Sequence, residues 1–357
     1  MTSRPRKSKA TPAAQSVDLV ALADCVEKFS SKTIVLLGDF VADEFQFGEI
    51  SRVSREAPVL ILKHRETQIV PGGGANAANN FVALGARVFP ITAVGYDAAG
   101  EALLGYFRSK KINTSGILRV KNWTTPTKTR FVAGWAHTVG QQVLRVDREP
   151  QSQLPQVVQR KIGELLRARL RSSDALAISD YGFGVASPAL VREAAAKSRR
   201  APLITLDARY NLAAYAKAGI TSATPNEAEL ETVHHVSIGS NLDALRRSGR
   251  ETLDSMKLRA LLVTRGRDGM ALFEPENRVT HIPIHGSNQA VDVTGAGDTV
   301  LASYTLALAC GASPFEAAHI ANIAGGLVVM KRGTATVSRA ELLQAIRQEI
   351  SGPAANS

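Results

Sequence analysis

The segment Asp292-Val-Thr-Gly-Ala-Gly-Asp298 closes a polar turn and opens an apolar run with no further charge until Glu316. Gly295, Ala296 and Gly297 set three tiny residues in front of the lone carboxylate of Asp298. The pattern predicts a helix whose first amides have no partner inside the helix. Small side chains let an anion approach those amides, and the helix dipole adds about half a positive charge there. Asp298, in the first turn, is placed to take the proton of a hydroxyl that attacks a phosphoryl group. Read alone, the same residues fit a tight turn and a favourable first-turn acid equally well.

Four other polar or glycine-rich turns follow apolar runs: 38–43, 179–184, 224–229 and 264–269. Ligands of α/β sheets sit beyond the carboxyl ends of the strands, so five such turns predict a single cleft. The run Gly72-Gly73-Gly74 implies a backbone lying close to a ligand, and Asn76 offers an amide to hydroxyls. Asp39 and Asp43 suit vicinal sugar hydroxyls, although an Asx turn with one solvated acid fits either of them singly. No GxxxxGK[ST] is present, which excludes a Walker P-loop. Pro71 and the misplaced Asp97 weaken a dinucleotide fingerprint. The histidines (His234, His235, His281, His285) lack metal-ligand spacing and read as solvated loop or strand residues. No Ser-His-Asp arrangement or nucleophile elbow stands out.

The elements that must position these turns read as follows. Apolar periodicity predicts helices at 18–29, 74–86, 98–110, 155–170, 187–199, 239–256, 296–310, 313–330 and 338–350. Buried strands are predicted at 32–40, 87–95, 175–180, 202–207 and 260–266. Strands alternating with helices imply a mostly parallel sheet covered on both faces. Residues 45–70 alternate apolar and polar types and predict two or three antiparallel strands outside that sheet. With part of 115–147 they form a small β appendage.

The net charge of +11 helps attract phosphorylated ligands. Without aromatic and basic residues interleaved, it gives no reason to expect nucleic acid. No uncharged apolar run is long enough for a bilayer, so no membrane partner is expected. Cys25 and Cys310 lack redox or metal spacing and read as core residues of a cytoplasmic, reducing environment. Residues 1–17 read as a disordered basic tail, with a transit peptide as the alternative. Residues 18–350 read as one α/β domain and 351–357 as a tail.

Taken together, these motifs resemble the ribokinase-like (PfkB) carbohydrate kinases. "DVTGAGDT" is similar to their signature, "PGGGANAANNFVALGA" to their N-terminal glycine motif, and "TPNEAE" to their NxxE motif, all in the family's order over roughly residues 31–350. "GDFVADEFQFGEISRVSREAPVLIL", "SDYGFG", "LLVTRGRDGMALF" and "KRGTATVS" are most similar to the D-glycero-β-D-manno-heptose 7-phosphate kinases, the kinase half of bifunctional heptose enzymes. No room follows residue 350 for their nucleotidyl-transferring domain.

The resemblance implies a three-layer ribokinase-like fold with a β lid, and ATP-dependent phosphorylation of a sugar or sugar phosphate. It implies Asp298 as general base and the amides around Gly295, Ala296 and Gly297 as the phosphoryl cradle. Asn226 and Glu229 would organise Mg²⁺ through water. Thr264, Gly266 and Gly269 would line the nucleotide, with Asn322 near the adenine. Asp39, Asp43, Gly73, Gly74, Asn76, Asp180 and Arg209 would face the sugar. Asp292, Thr294 and the loop at Gly333 would hold a monovalent cation such as K⁺. Phe183 and Arg209 stand where the subgroup usually carries lysines, which leaves two alternatives: a PfkB-type kinase of a free sugar or nucleoside, and a non-catalytic sensor. The lid's exposed apolar residues imply a homodimer joined through the lids.

Overall fold

The computed structural model describes residues 17–134, 140–198, 201–287 and 289–351. The expected N-terminal tail lies outside the described residues except for Val17. Of the expected C-terminal tail only Ser351 is described, and it closes the last helix.

Helix α1 (Leu19–Glu27) is capped by Asp18, whose carboxylate accepts from the amides of Val20 and Ala21. It leads into β1 (Thr33–Gly38). Two long strands, β2 (Phe40–Val53) and β3 (Leu60–Gly73), run out and back as a hairpin that delivers the chain to α2 (Gly74–Ala83). Next come β4 (Arg87–Gly95), α3 (Ala98–Ser109), β5 (Ile117–Val120), β6 (Thr127–Gly134) and β7 (Gln141–Arg148). The regular alternation follows: α4 (Gln156–Leu170), β8 (Ala175–Asp180), α5 (Pro188–Ala196), β9 (Leu203–Ala208), β10 (Ser222–Ala223), α6 (Glu227–His234), α7 (Leu242–Met256) and β11 (Ala260–Thr264). The chain closes with β12 (Met270–Glu274), β13 (Arg278–Ile282), α8 (Ala296–Ala309), α9 (Pro314–Val328) and α10 (Arg339–Ser351).

The main sheet has the order β13-β12-β11-β10-β9-β8-β1-β4-β5. It is parallel from β5 to β11 and turns antiparallel at β12 and β13. β1 shows why helices cover both faces: Ile34 and Leu36 pack into one core, Val35 and Leu37 into the other. The first core collects the buried faces of α1, α2, α3, α8, α9 and α10, the second those of α4 to α7. No helix is long and apolar enough to cross a membrane among the described residues.

β3, β2, β6 and β7 form a separate sheet. β2 pairs β6 in parallel, so the lid is not wholly antiparallel as expected. It also starts earlier, at Phe40, and ends later, at Gly73, so that it grows directly from the turns flanking the cleft. Helix α6 was read as a turn because it buries only Leu230 and therefore carries no apolar stripe. His234, expected in solvent, is half-buried at the end of α6, and its Nε2 lies 2.7 Å from the Thr252 hydroxyl. Cys310 is half-buried at the end of α8, at the margin of the first core and packed against it.

Candidate active site

Helix α8 is buried along almost its whole length, consistent with an apolar sequence on every side. It packs against α2, where Ala75, Ala77 and Ala78 permit a close approach. Two polar contacts fix the register: Asn76 Nδ2 donates to Asp298 Oδ2 at 2.7 Å, and the Thr299 hydroxyl donates to Asn80 Oδ1 at 2.8 Å. Gly295 is required at this junction. Its φ is +78°, and a Cβ there would stand 2.4 Å from the Asn76 amide nitrogen.

Asp298 lies in the first turn of α8, 3% exposed. While Oδ2 is held by Asn76, Oδ1 has no hydrogen-bond partner among the described residues. Burial pushes the carboxyl up to about 7, and the charge of Asp43 adds to the rise. The Asn76 amide, Lys128 and the Tyr181 hydroxyl work against it. A carboxylate poised near neutrality with one free oxygen has the profile of a general base. Among the described residues the amides of Gly297 and Asp298 donate to no acceptor, as expected of a helix start. The Ala296 amide differs from expectation: it donates to Val293 O at 3.2 Å and is not free to hold an anion.

Two cavities meet here, sharing Thr264, Val293 and Gly297. The larger, about 350 Å³, is mostly apolar and is lined by Gly266, Gly269, Met270, Val300, Asn322 and Val329 among others. Asn322, buried on α9, donates to Pro283 O at 2.8 Å, which fixes its amide at the cavity wall. Arg265, whose side chain is 6% exposed, pairs with Glu227 at 2.7 Å and donates to Gly239 O, anchoring the 264–269 turn to α6.

The smaller cavity, about 260 Å³, is polar, and Asp180, Tyr181, Asp207, Arg209, Asn226, Glu229 and Asp298 line it. Asn226 and Glu229 cap α6 reciprocally: Asn226 Oδ1 accepts from the Glu229 amide at 2.8 Å, and Glu229 Oε2 from the Asn226 amide at 2.9 Å. Burial raises the Glu229 carboxyl. Asp207 is raised strongly, by burial and then by the charges of Glu229 and Asp298, with Arg209 opposing. Such a cluster of carboxylates suits a divalent cation. Among the described residues no three His, Cys, Asp or Glu side chains stand close enough to grip one directly, so water would complete the shell.

Four residues expected on the sugar already hold partners within the protein. Asp39 is fully buried and both its oxygens are used: Oδ2 accepts from the amides of Tyr181 and Phe183, Oδ1 from that of Val185, at 2.9–3.0 Å. It holds the 181–185 loop and does not face the cavity. Burial, then the neighbouring Asp180, pushes its carboxyl up to about 7 against the pull of those amides. Asn76 spends its amide on Asp298. Asp180 lines the cavity, yet its oxygens accept from the Gly182 amide and the Tyr215 hydroxyl. Asp43 is buried and paired with Arg130 at 2.6 Å. Gly73 and Gly74 pack on the turn after β1, where the Gly74 amide donates to Asp39 O at 2.9 Å. Asp292 accepts from the amides of Thr294 and Gly333, each at 2.9 Å, so the three expected cation-site residues do come together.

The sequence reading missed the lid's cations, Lys128 and Arg130 on β6; Arg209, which it named, follows β9. Lys128 Nζ stands 5.0 Å from the centre of the Tyr181 ring, and the Arg209 guanidinium 5.9 Å from the same centre. Neither has a carboxylate within 4 Å among the described residues. Burial and then the charge of Arg209 lower the Lys128 ammonium. The available signal was the alternation in "TKTRFVAG", which puts Lys128 and Arg130 on one face of a strand.

A helix start that accepts anions, a buried carboxylate beside it, and two joined chambers, one apolar and one polar, together define a phosphotransferase on a three-layer α/β fold. Residues 32–341 match the family model described as "pfkB family carbohydrate kinase". The chain belongs to this family of carbohydrate kinases. Among curated relatives it is 40% identical, over 87% of its length, to the bifunctional protein HldE of Geobacter metallireducens, and 38% identical, over 87%, to that of Geobacter sulfurreducens. It spans 62% of the length of each of these relatives. Among solved structures, phosphofructokinase-2 from Escherichia coli in complex with potassium superposes with a TM-score of 0.72, at 19% identity, over 88% of this chain and 98% of that one. Arabidopsis thaliana ribokinase complexed with ribose and ATP gives 0.70, also at 19% identity, over 89% and 99%. The fold is therefore ribokinase-like.

Proposed function

We propose that this kinase transfers the γ-phosphoryl group of ATP to a hydroxyl of a sugar phosphate, most simply D-glycero-D-manno-heptose 7-phosphate, giving the 1,7-bisphosphate. One observation carries the chemistry: the Oδ1 of buried Asp298 at the start of α8, unpartnered among the described residues, where the two cavities join. In the proposed step the sugar hydroxyl gives its proton to Asp298 Oδ1. The new O–P bond forms as the bond from the γ-phosphorus to the bridging oxygen breaks, and ADP leaves. The amides of Gly297 and Asp298 take the charge on the transferred group. Asn76 holds the base, and the apolar cavity beside Asn322 takes the adenine. Mg²⁺, when bound with the nucleotide, neutralises phosphate charge, and Asn226, Glu229 and Asp207 are the residues that would face it through water. Asp292, with Thr294 and Gly333, would border a monovalent cation.

The phosphorylated substrate is supported by Arg209 and Lys128, two cations converging on Tyr181 with no carboxylate within 4 Å of either among the described residues. Their mutual repulsion is relieved by a bound dianion, and Arg209 can grip it as a fork where a lysine offers only a point charge. The relatives' name HldE points the same way. The lid sheet exposes Val53, Leu60, Val143, Leu144 and Val146, which a second copy's lid would cover. An ADP-release assay with heptose 7-phosphate, the free heptose, hexose phosphates and nucleosides tests the reading. Turnover confined to unphosphorylated acceptors would sink the sugar-phosphate assignment.

A further inference from the structure

We propose that the amino-terminal end of the main sheet, opposite the catalytic cleft, carries a binding site for a ring-bearing phosphate monoester the size of a mononucleotide. A cavity of about 390 Å³ opens there, where β1 and β4 begin and α3 and α4 end. It is slightly larger than the apolar chamber of about 350 Å³ beside the start of α8, and of the size that small-molecule sites require. The six residues of β1 separate it from the cleft: Thr33 stands on its wall, and Gly38 lies roughly 17 Å away at the rise of a strand.

Four cations line the cavity: Arg87, which opens β4, Lys110 and Lys111 after α3, and Arg169 in the last turn of α4. None of them has a carboxylate within 4 Å among the described residues. The acid next to the cavity, Asp174, does not line it and is already engaged. Its Oδ2 accepts from the Thr33 amide at 2.7 Å, and its Oδ1 lies 3.9 Å from Lys32 Nζ. Two of the cations are held in place. Arg87 donates to the Thr33 hydroxyl at 3.1 Å and to Ser31 O at 3.2 Å, and the Arg169 guanidinium lies 4.0 Å over the centre of the Phe89 ring. Like charges gathered around one hollow repel one another, and a dianion bound among them relieves that cost.

Cations at helix ends commonly answer the last carbonyls and the helix dipole. Here backbone amides already take those carbonyls: Tyr106 O accepts from Lys110, Phe107 O from Ile112, Arg108 O from Lys111 and Arg169 O from Ser172, at 2.9–3.1 Å. Arg87 belongs to a strand and answers no helix. Lys111 sits in left-handed backbone, φ +56°, a place that glycine or asparagine fills at less cost. The remaining wall supplies the other half of the ligand's chemistry. Val82, Val88, Phe89 and Ile112 make it apolar, and the exposed Arg169 offers a guanidinium plane on which a ring can stack. The Ser173 hydroxyl on this wall has no hydrogen-bond partner among the described residues, and a phosphate oxygen would satisfy it.

The test is competitive acetylation of the full chain, with Lys110 and Lys111 read by peptide mass spectrometry. Adenosine 5′-monophosphate should slow acetylation of both lysines about 3-fold or more, as charge-assisted contacts cover them. Adenosine, the ring without the phosphate, and sodium chloride at equal ionic strength should leave the rates unchanged. Inorganic phosphate, the anion without the ring, should need a concentration about 10-fold higher for the same protection. Arg87→Gln with Arg169→Gln should raise the half-protecting concentration of the nucleotide about 10-fold or more. Lys111→Asn keeps the left-handed backbone comfortable, so the fold is preserved, and it should weaken the protection of Lys110 about 3-fold. The proposal is overturned if the nucleotide protects neither lysine beyond the effect of salt, if inorganic phosphate protects as well as the nucleotide, or if protection survives the paired arginine substitution. Each readout is a mass at a named lysine, independent of any kinase assay.

Discussion

The start of α8 and the lid face the same cleft and are built on opposite principles. At the start of α8 the working parts are backbone amides, small residues and one buried acid, all within a few positions of one another in sequence. Asn76 reaches it from a helix packed against it. The lid contributes long charged side chains from strands far apart in sequence: Asp43 on β2 pairs with Arg130 on β6, and Lys128 on β6 meets Tyr181 and Arg209 from the main sheet. The helix start has little freedom, since adding even a methyl at Gly295 meets Asn76. The lid cations can be exchanged without disturbing a core. In the proposed reading the first region carries the phosphoryl-transfer chemistry and the second decides acceptor choice.

If that division holds, changes in the two regions break different kinetic constants. Asp298→Asn should have the largest effect, lowering kcat at least about 10³-fold while leaving the affinity for ATP near that of the wild type. A stopped assay with single-turnover controls, beside nucleotide titration by calorimetry, reads both. Near wild-type turnover would remove Asp298 from the chemistry. Because the base works ionised and its carboxyl lies at about 7, kcat/KM of the wild type should fall as pH drops below that value.

Arg209→Ala and Lys128→Ala come next. Each would remove the proposed charge-assisted contact to the acceptor's phosphate, so KM for a sugar phosphate should rise about 10- to 100-fold with a smaller change in kcat. Unphosphorylated acceptors, if used at all, should be indifferent to both changes. A kcat loss equal to that of Asp298→Asn would erase the distinction between the regions. Gly295→Ala should be milder, about 10-fold in kcat, because left-handed backbone costs roughly 1–2 kcal/mol and the new methyl displaces the Asn76 amide from the base. Leu60→Asp with Leu144→Asp should change neither region's chemistry directly but should leave a monomer by light scattering.

The same contrast explains what could be read from the sequence. Contiguous, steric features were legible: the helix start at 296–298, the glycine run and the buried runs of the parallel strands. Features made by long-range convergence were not. Nothing local announces that Asp39 would be covered by three loop amides, that Asn76 would turn towards Asp298, or that Ala296 would lose its amide to Val293. Helix α6 escaped because its single buried residue leaves no periodic signal. Lys128 and Arg130 sat on a recognisable strand face, but only the parallel pairing of β2 with β6 brings them to Asp43 and the cleft.

The smallest expected effect separates the cost of the base from its use. Burial raises the Asp298 carboxyl from 3.8 to about 7 in the folded protein, so ionising it is harder folded than unfolded. A raised acid costs no stability well below its unfolded value of 3.8, where it is protonated in both states. The penalty grows as pH rises through that value, because the unfolded chain ionises first, and it levels off above about 7. Asp298→Asn removes the charge and keeps an oxygen to accept from Asn76. It should therefore melt about 2–5 °C above the wild type at pH 8, with the difference shrinking to almost nothing by about pH 3. Calorimetric scans of both proteins between those limits measure it. An equal offset at every pH would mean that the gain comes from packing, whereas a gain that grows between pH 4 and 7 would show the fold holding an acid it would rather keep neutral, at the one position where turnover needs it charged.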